Sequence, residues 1–157
     1  MNSTLAPIAA LFMALLAGPG AATDAAMPEL TPLERWEADP TTVFEAADID
    51  LDDFQWRARP VIVFADTSAN PAFEEQLALL SDRMNDLVER DVVLITDTDP
   101  EAATALRTRL RPRGFMLTLI GKDGDVKLRK PFPWDVRELS RSIDKMPMRQ
   151  REIREGG

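Results

Sequence analysis

Two uninterrupted apolar runs dominate the middle of the chain. Val61-Ile62-Val63-Phe64-Ala65 and Val92-Val93-Leu94-Ile95 are both of strand length, and runs without polar alternation predict central strands buried on both faces. After the first, Asn70 stands before Pro71, a helix start with Asn as N-cap and Pro at the first helical position. Phe73, Leu77, Leu80, Met84 and Leu87 then recur at helical spacing, so one face is buried and the helix is predicted to run to Arg90-Asp91. Asp99-Pro100 repeats the signal and predicts a shorter helix. That helix carries Ala103, Leu106 and Leu110 on one face and Arg107 and Arg111 on another, and Arg111-Pro112-Arg113-Gly114 ends it. "FMLTLIG", "KDG" and "DVKLR" predict a β-hairpin with Gly124 at the position that needs positive φ. Finally Val136, Leu139, Ile143 and Met146 share one face of a helix that Pro147 is expected to end.

The order is β-α-β-α-β-β-α over residues 58–147. Its two βα units should be parallel and right-handed. With the hairpin antiparallel and apolar strands needing cover on both sides, the prediction is an α/β three-layer sandwich with a mixed central sheet. Residues 23–57 form an acidic, proline-punctuated lead-in. Leu30, Leu33 and Trp36 are spaced for one face of a short helix. The stretch "TTVFEAADIDLDDFQW" is expected to pack Val43, Phe44, Ile49, Leu51, Phe54 and Trp56 on the body as a strand or short helix. Residues 148–157 are a basic tail that lies on the body or reaches a partner.

The first 22 residues carry no charged side chain and contain "LAPIAALFMALLAG", Gly18-Pro19-Gly20 and then small residues. This is the pattern of a secretory signal cleaved near Ala22. The run is shorter than the ~20 apolar residues a span needs and is interrupted by proline. A periplasmic or secreted protein without a stable membrane span is therefore expected, with an uncleaved anchor as the alternative.

Composition then removes chemistries. The 157 residues include no Cys, His or Tyr, so disulfides, thiol redox and histidine-based catalysis are excluded. Any catalysis must rest on carboxylates, hydroxyls, Lys or Arg. No glycine-rich dinucleotide loop is present, and no cofactor is expected. Residues 23–101 hold 20 Asp and Glu against 5 Lys and Arg, whereas residues 102–157 hold 7 against 14. Either the halves pair across the fold or the two-signed surface orients the protein on a charged partner. An acidic domain of this kind is not a nucleic-acid binder.

Candidate sites follow from the strand ends. Asp66, Thr67, Ser68 and Asn70 line the end of the first central strand, where the next helix aims its N–H groups. A small anionic ligand is one reading; the other is that Asn70 and Ser68 satisfy those donors as caps. Ser68 has no His to activate it as a nucleophile. Asp66, Asp97 and Asp99 sit at carboxyl ends of parallel strands, where α/β proteins bind ligands. Together they are suited to Mg²⁺ or Ca²⁺, or Asp97 and Asp99 are turn and cap residues and Asp66 is solvated. Arg107, Arg109, Arg111 and Arg113 offer a partner surface or a solvated face. Met116, Met146 and Met148 offer thioethers to Cu(I) or pack in the core.

The element order resembles thioredoxin, with "GFMLTLIGKDGDVKL" similar to its third and fourth core strands. "FADTSANPAFEEQ" falls where thioredoxins carry Cys-Gly-Pro-Cys, with Ala69 and Ala72 in the cysteine positions and Pro71 at the proline. Met116 falls at the cis-proline position and is expected to follow a trans bond. The segments "LDDFQWRARPVIVFA", "LVERDVVLIT", "LIGKDGDVKLR" and "IDKMPMRQREIR" resemble a bacterial family known as a domain of unknown function. That family is also called the DUDES group and described as peroxiredoxin-like, with relatives in animal extracellular-matrix and sushi-repeat proteins. The resemblance implies a thioredoxin-like fold and an exported context, and it carries no catalytic residue across. The functional expectation is an exported binding or adaptor module without thiol chemistry. It would use the groove at Asp66, Thr67, Ser68, Asn70 and Met116 for a protein or small anionic ligand of the cell envelope. A carboxylate or metal-dependent enzyme built on Asp66, Asp97 and Asp99 is the alternative.

Overall fold

The computed structural model describes residues 29–156; the predicted signal sequence lies outside them. Helix α1 (Pro32–Ala38) opens with a reciprocal cap. Thr31 accepts from the Glu34 amide, and the Glu34 carboxylate accepts the Thr31 N–H at 2.8 Å, satisfying two end donors at once. The helix buries Trp36, whose Nε1 donates to Val92 O at 3.2 Å. Strand β1 (Val43–Glu45) follows, then two 3₁₀ turns at Ala46–Asp48 and Leu51–Phe54. Phe44, Ile49, Leu51 and Phe54 are buried as expected, but Val43 and Trp56 are exposed. A three-residue strand at a sheet edge turns only its middle side chain inward. Trp56 takes a left-handed conformation (φ 65°) and donates its N–H to Lys122 O.

The remaining elements are β2 (Arg59–Phe64), α2 (Pro71–Asp82), α3 (Met84–Val88), β3 (Val92–Asp97), α4 (Ala105–Leu110), β4 (Met116–Ile120), β5 (Val126–Lys130), α5 (Val136–Asp144) and α6 (Pro147–Glu155). The sheet order is β1-β3-β2-β4-β5. The first three strands run parallel and the hairpin β4–β5 antiparallel. Alternation along the central strands divides the core into two layers. Ile62, Phe64, Ile95 and Met116 meet Leu106 and Leu110 of α4 on one face. On the other, Val61, Val63, Leu94 and Leu117 meet Phe73 and Leu80 of α2 and Leu139 and Ile143 of α5. The mixed sheet with helices on both sides is the α/β sandwich the apolar pattern predicts.

Three boundaries differ from the sequence reading. The first long helix breaks at Arg83 (φ −129°, ψ 36°) into α2 and α3. Helix α4 starts at Ala105, capped by Thr104 Oγ1 on the Arg107 amide at 3.2 Å. Asp99 instead closes a separate turn, accepting from the amides of Glu101 and Ala102, and Ala103 (φ 45°) lies outside the helix. Pro147 does not end the chain's helical structure but occupies the first turn of α6, a position in which its missing N–H costs nothing.

Candidate functional site

The loop 65–70 carries β2 into α2 and sets the upper end of the sheet. Asn70 Oδ1 accepts from the amides of Ala72 at 3.0 Å and Phe73 at 3.3 Å, and its carbonyl accepts from Glu74 N. Pro71 has no N–H to offer. Every donor of the first turn of α2 is thus absent or taken, so the helix start has none left for an anion. This corrects the anion reading for this end of α2, with the cap made by Asn70 alone. Asp66, Thr67 and Ser68 are exposed, and their side chains make no hydrogen bond to another described residue.

Asp97, the last residue of β3, is 3% exposed. One carboxylate oxygen accepts from Arg107 Nε at 2.6 Å and the other from Thr104 Oγ1 at 2.7 Å. Arg107 Nη2 reaches on to Ala65 O at 2.6 Å and Asp97 O at 3.0 Å, and its guanidinium lies 5.6 Å from the centre of the Phe64 ring. One arginine of α4 therefore ties the ends of β2 and β3 together. Asp97 is neither a turn residue nor a free metal ligand, and Arg107 is not on a solvated face. No cluster of acidic side chains suited to a metal ion forms among the described residues. The three carboxylates are not brought together as a free set: Asp97 is engaged by Arg107 and Thr104, Asp99 Oδ1 closes its own turn, and Asp66 is exposed.

The open surface lies on the other side of Asp66. Met116 begins β4 opposite Phe64 of β2, the peptide bond before it is trans, and Gly114 (φ 60°) lets the preceding loop pass close to Asp66. A Cβ built at Gly114 would lie 3.8 Å from Asp66 Oδ2. Beside this loop is a groove of about 230 Å³ lined by Arg111, Arg113, Phe115, Met116, Arg129 and Lys130. Arg111 leaves α4 in the left-handed conformation (φ 49°), which turns the chain out of the helix and toward this groove. Arg129 Nη1 donates to Leu110 O at 2.7 Å, capping the C-terminal end of α4, where a cation is favoured. Lys130 Nζ stands 4.4 Å from the centre of the Trp134 ring. Arg111 and Arg113 form no ion pair among the described residues. Of the residues expected to make a site, Met116 lines this groove and Asp66 adjoins it by way of Gly114.

The opposite end of the sheet is closed by ion pairs. Arg59 is 1% exposed and donates to both oxygens of Glu152 on α6, at 2.9 and 3.0 Å, and to Arg90 O. Lys122 Nζ bridges Glu152 and Asp91, and Arg90 makes a two-point contact with Asp144. Burial pushes the Glu152 carboxyl up, but hydrogen bonds and charge from Arg59 and Lys122 outweigh it and hold the pKa below its ordinary value. Met146 and Met148 lie at this end, away from Met116, so the three thioethers do not converge. The cross-half pairs run in both senses: Arg107 to Asp97 and Lys122 to Asp91, but also Arg59 to Glu152.

A family model described as "Domain of unknown function (DUF4174)" matches residues 50–152. No curated protein matches the chain. Among solved structures the chain is similar to the reduced 2-Cys peroxiredoxin of Plasmodium vivax. The identity is 12%, covering 66% of this chain and 85% of that one, with a TM-score of 0.55. It is also similar to Plasmodium yoelii Prx1a modified at the N-terminus, at 15% identity, covering 66% and 81%, with a TM-score of 0.51. At such identities the likeness is one of fold, and it places the sandwich among thioredoxin-like folds. With no cysteine anywhere in the chain, the thiol on which a cysteine peroxidase depends is absent.

Proposed function

We propose, for a chain that belongs to the DUF4174 family, a non-catalytic recognition function: the groove beside Met116 binds a carboxylate-bearing ligand. One observation carries this reading. In a protein of net charge −8, Arg111 and Arg113 stand without carboxylate partners among the described residues, in a groove that Phe115 and Met116 also line. Planar guanidinium groups suit carboxylates geometrically, and Phe115 and Met116 supply apolar contact. The rest of the upper end supports binding over catalysis. The donors of α2 are capped, Asp97 is engaged by Arg107 and Thr104, and the chain has no Cys or His to serve as or activate a nucleophile.

The uncharged apolar start of the chain supports an exported protein, and the proposal places its ligand in the cell envelope. The narrower affiliation with the DUDES group rests on the four matching segments and belongs to the same proposal.

The test is titration of the purified protein with an oligoglutamate at low and high salt. Binding that weakens with salt and is lost in Arg111→Glu/Arg113→Glu is the expected result. Binding unchanged by that double substitution, or none at low salt, overturns the reading.

A further inference from the structure

The two edges of the sheet differ in length and charge. β1 is three residues long and is followed at once by the acidic turn that contains Asp48. β5 spans Val126–Lys130, and among the described residues no strand lies beyond it. Its outer row of backbone N–H and C=O groups is a template for one more strand. Side chains alternate across it. Arg129 points to the α4 side, where it caps Leu110 O, and Lys130 to the other, over Trp134. Val126 is 39% exposed. At the Lys130 end the edge runs into the groove, since Arg129 and Lys130 belong to both and Pro131, just after the strand, lines it too.

We infer that the ligand of this groove is an acidic polypeptide segment in extended form, which adds as a sixth strand along β5 and places carboxylates on Arg111 and Arg113. This rests on the carboxylate-binding reading and names its ligand class. Charge complementarity selects the occupant. Along β5 and the groove wall stand Arg129, Lys130, Arg111 and Arg113, with Asp66 at the far margin; Lys127, at the other end of β5, is already paired with Asp123 and Asp125. Basic edge residues also discourage pairing between like edges. That role does not require Arg111 and Arg113, which lie off the strand, nor the apolar lining from Phe115 and Met116. Strand addition uses both features: main-chain hydrogen bonds supply affinity and alternate side chains enter pockets.

The experiment uses the mature protein and two eight-residue peptides of alternating Glu and Val. One is unmodified. In the other, alternate amides are N-methylated so that one edge cannot pair. Amide hydrogen exchange is followed over Val126–Lys130 and titration gives the affinities. The expected result is at least tenfold slower exchange at the outward β5 amides with the unmodified peptide, and at least tenfold weaker binding of the methylated one. Equal binding of both peptides, lost in Arg111→Glu/Arg113→Glu and without β5 protection, overturns strand addition and leaves the carboxylate reading standing. Failure of both peptides and of oligoglutamate to bind overturns both. Concentration-dependent β5 protection without peptide overturns the inference in favour of a second copy of this chain.

Discussion

Arg59 and Glu152 are 93 positions apart in sequence, yet Arg59 Nη2 lies 2.9 and 3.0 Å from the two Glu152 carboxylate oxygens. The arginine begins β2 and the glutamate sits on α6, a helix with no buried residue of its own. A helix without an apolar face has little reason to stay docked except its polar contacts, so this pair and its neighbours hold the C-terminus on the sheet. Glu152→Ala should lower stability by about 1.5–3 kcal/mol, the range for hydrogen bonds to charged groups. It should also expose the C-terminal helix to proteases. Urea denaturation and limited proteolysis check this, and unchanged values would show that α6 is held by something else.

The same pair sets an acid limb. The folded Glu152 pKa lies below its ordinary value of 4.5, so the unfolded chain takes up this proton first as pH falls. Its contribution to stability is therefore complete above about pH 4.5 and is lost as pH drops through the folded pKa. Glu152→Gln removes that titration. The stability gap between wild type and variant should be constant from pH 5 to 7 and shrink below pH 4.5. A gap that widens on acidification would reverse the assignment.

Asp97 and Arg107 form the tie at the upper end. Removing one partner strands a buried charge, so Asp97→Leu or Arg107→Met alone should cost about 3–5 kcal/mol. The double variant Asp97→Leu/Arg107→Met should be more stable than either single change, because neither charge is left unpaired. Denaturation midpoints of the four proteins complete the cycle; strictly additive losses would show that the two residues do not act as a pair.

The central strands are legible in the chain because runs such as Val61–Ala65 leave no polar face to expose, and α2 because Asn70-Pro71 is both cap and start. The same dipeptide logic misplaces α4. Asp99 spends its carboxylate on an isolated turn, and Ala103 reverses the chain before Thr104 caps the real helix. Pro147 is compatible with ending one helix or starting another. The docking of Glu152 on Arg59 favours the second, and no local pattern contains that contact. The four arginines from 107 to 113 look alike in sequence, but the end of α4 separates them. Arg107 turns in to Asp97, Arg109 reaches Gly124 O at 3.2 Å, and Arg111 and Arg113 line the groove. The one available signal for the buried pair was the acid closing the apolar run "VVLITD".

Asn70→Ala should cost about 1 kcal/mol, the usual loss of an N-cap, because the amides of Ala72 and Phe73 lose their acceptor. Asn70→Asp keeps the acceptor, adds charge at the positive end of the helix and should be neutral or stabilising. Sulfate should then stabilise the Ala variant more than the wild type, since the freed amides form an anion site that Asn70 otherwise fills. Thermal melts in sulfate and chloride at matched ionic strength measure this. Equal sulfate effects on both proteins would mean that the helix start is open to anions even with Asn70 in place.

Divalent cations test the remaining enzyme reading at the strand ends. A ligand that binds only the native state raises its stability by RT ln(1 + [L]/Kd), so even a weak site is visible at millimolar metal. Asp97 gives one oxygen to Arg107 and the other to Thr104, and Asp99 Oδ1 accepts two backbone amides. A cation beside Asp97 would compete with the Arg107 pair, and no cluster of acidic side chains among the described residues supplies the further ligands. Melting temperatures in 5–10 mM MgCl₂ or CaCl₂ should therefore match those in NaCl of equal ionic strength. In Arg107→Met, where the Asp97 carboxylate loses its partner, the same salts should give a measurable rise. A rise in the wild type that Asp97→Asn abolishes would restore the carboxylate site.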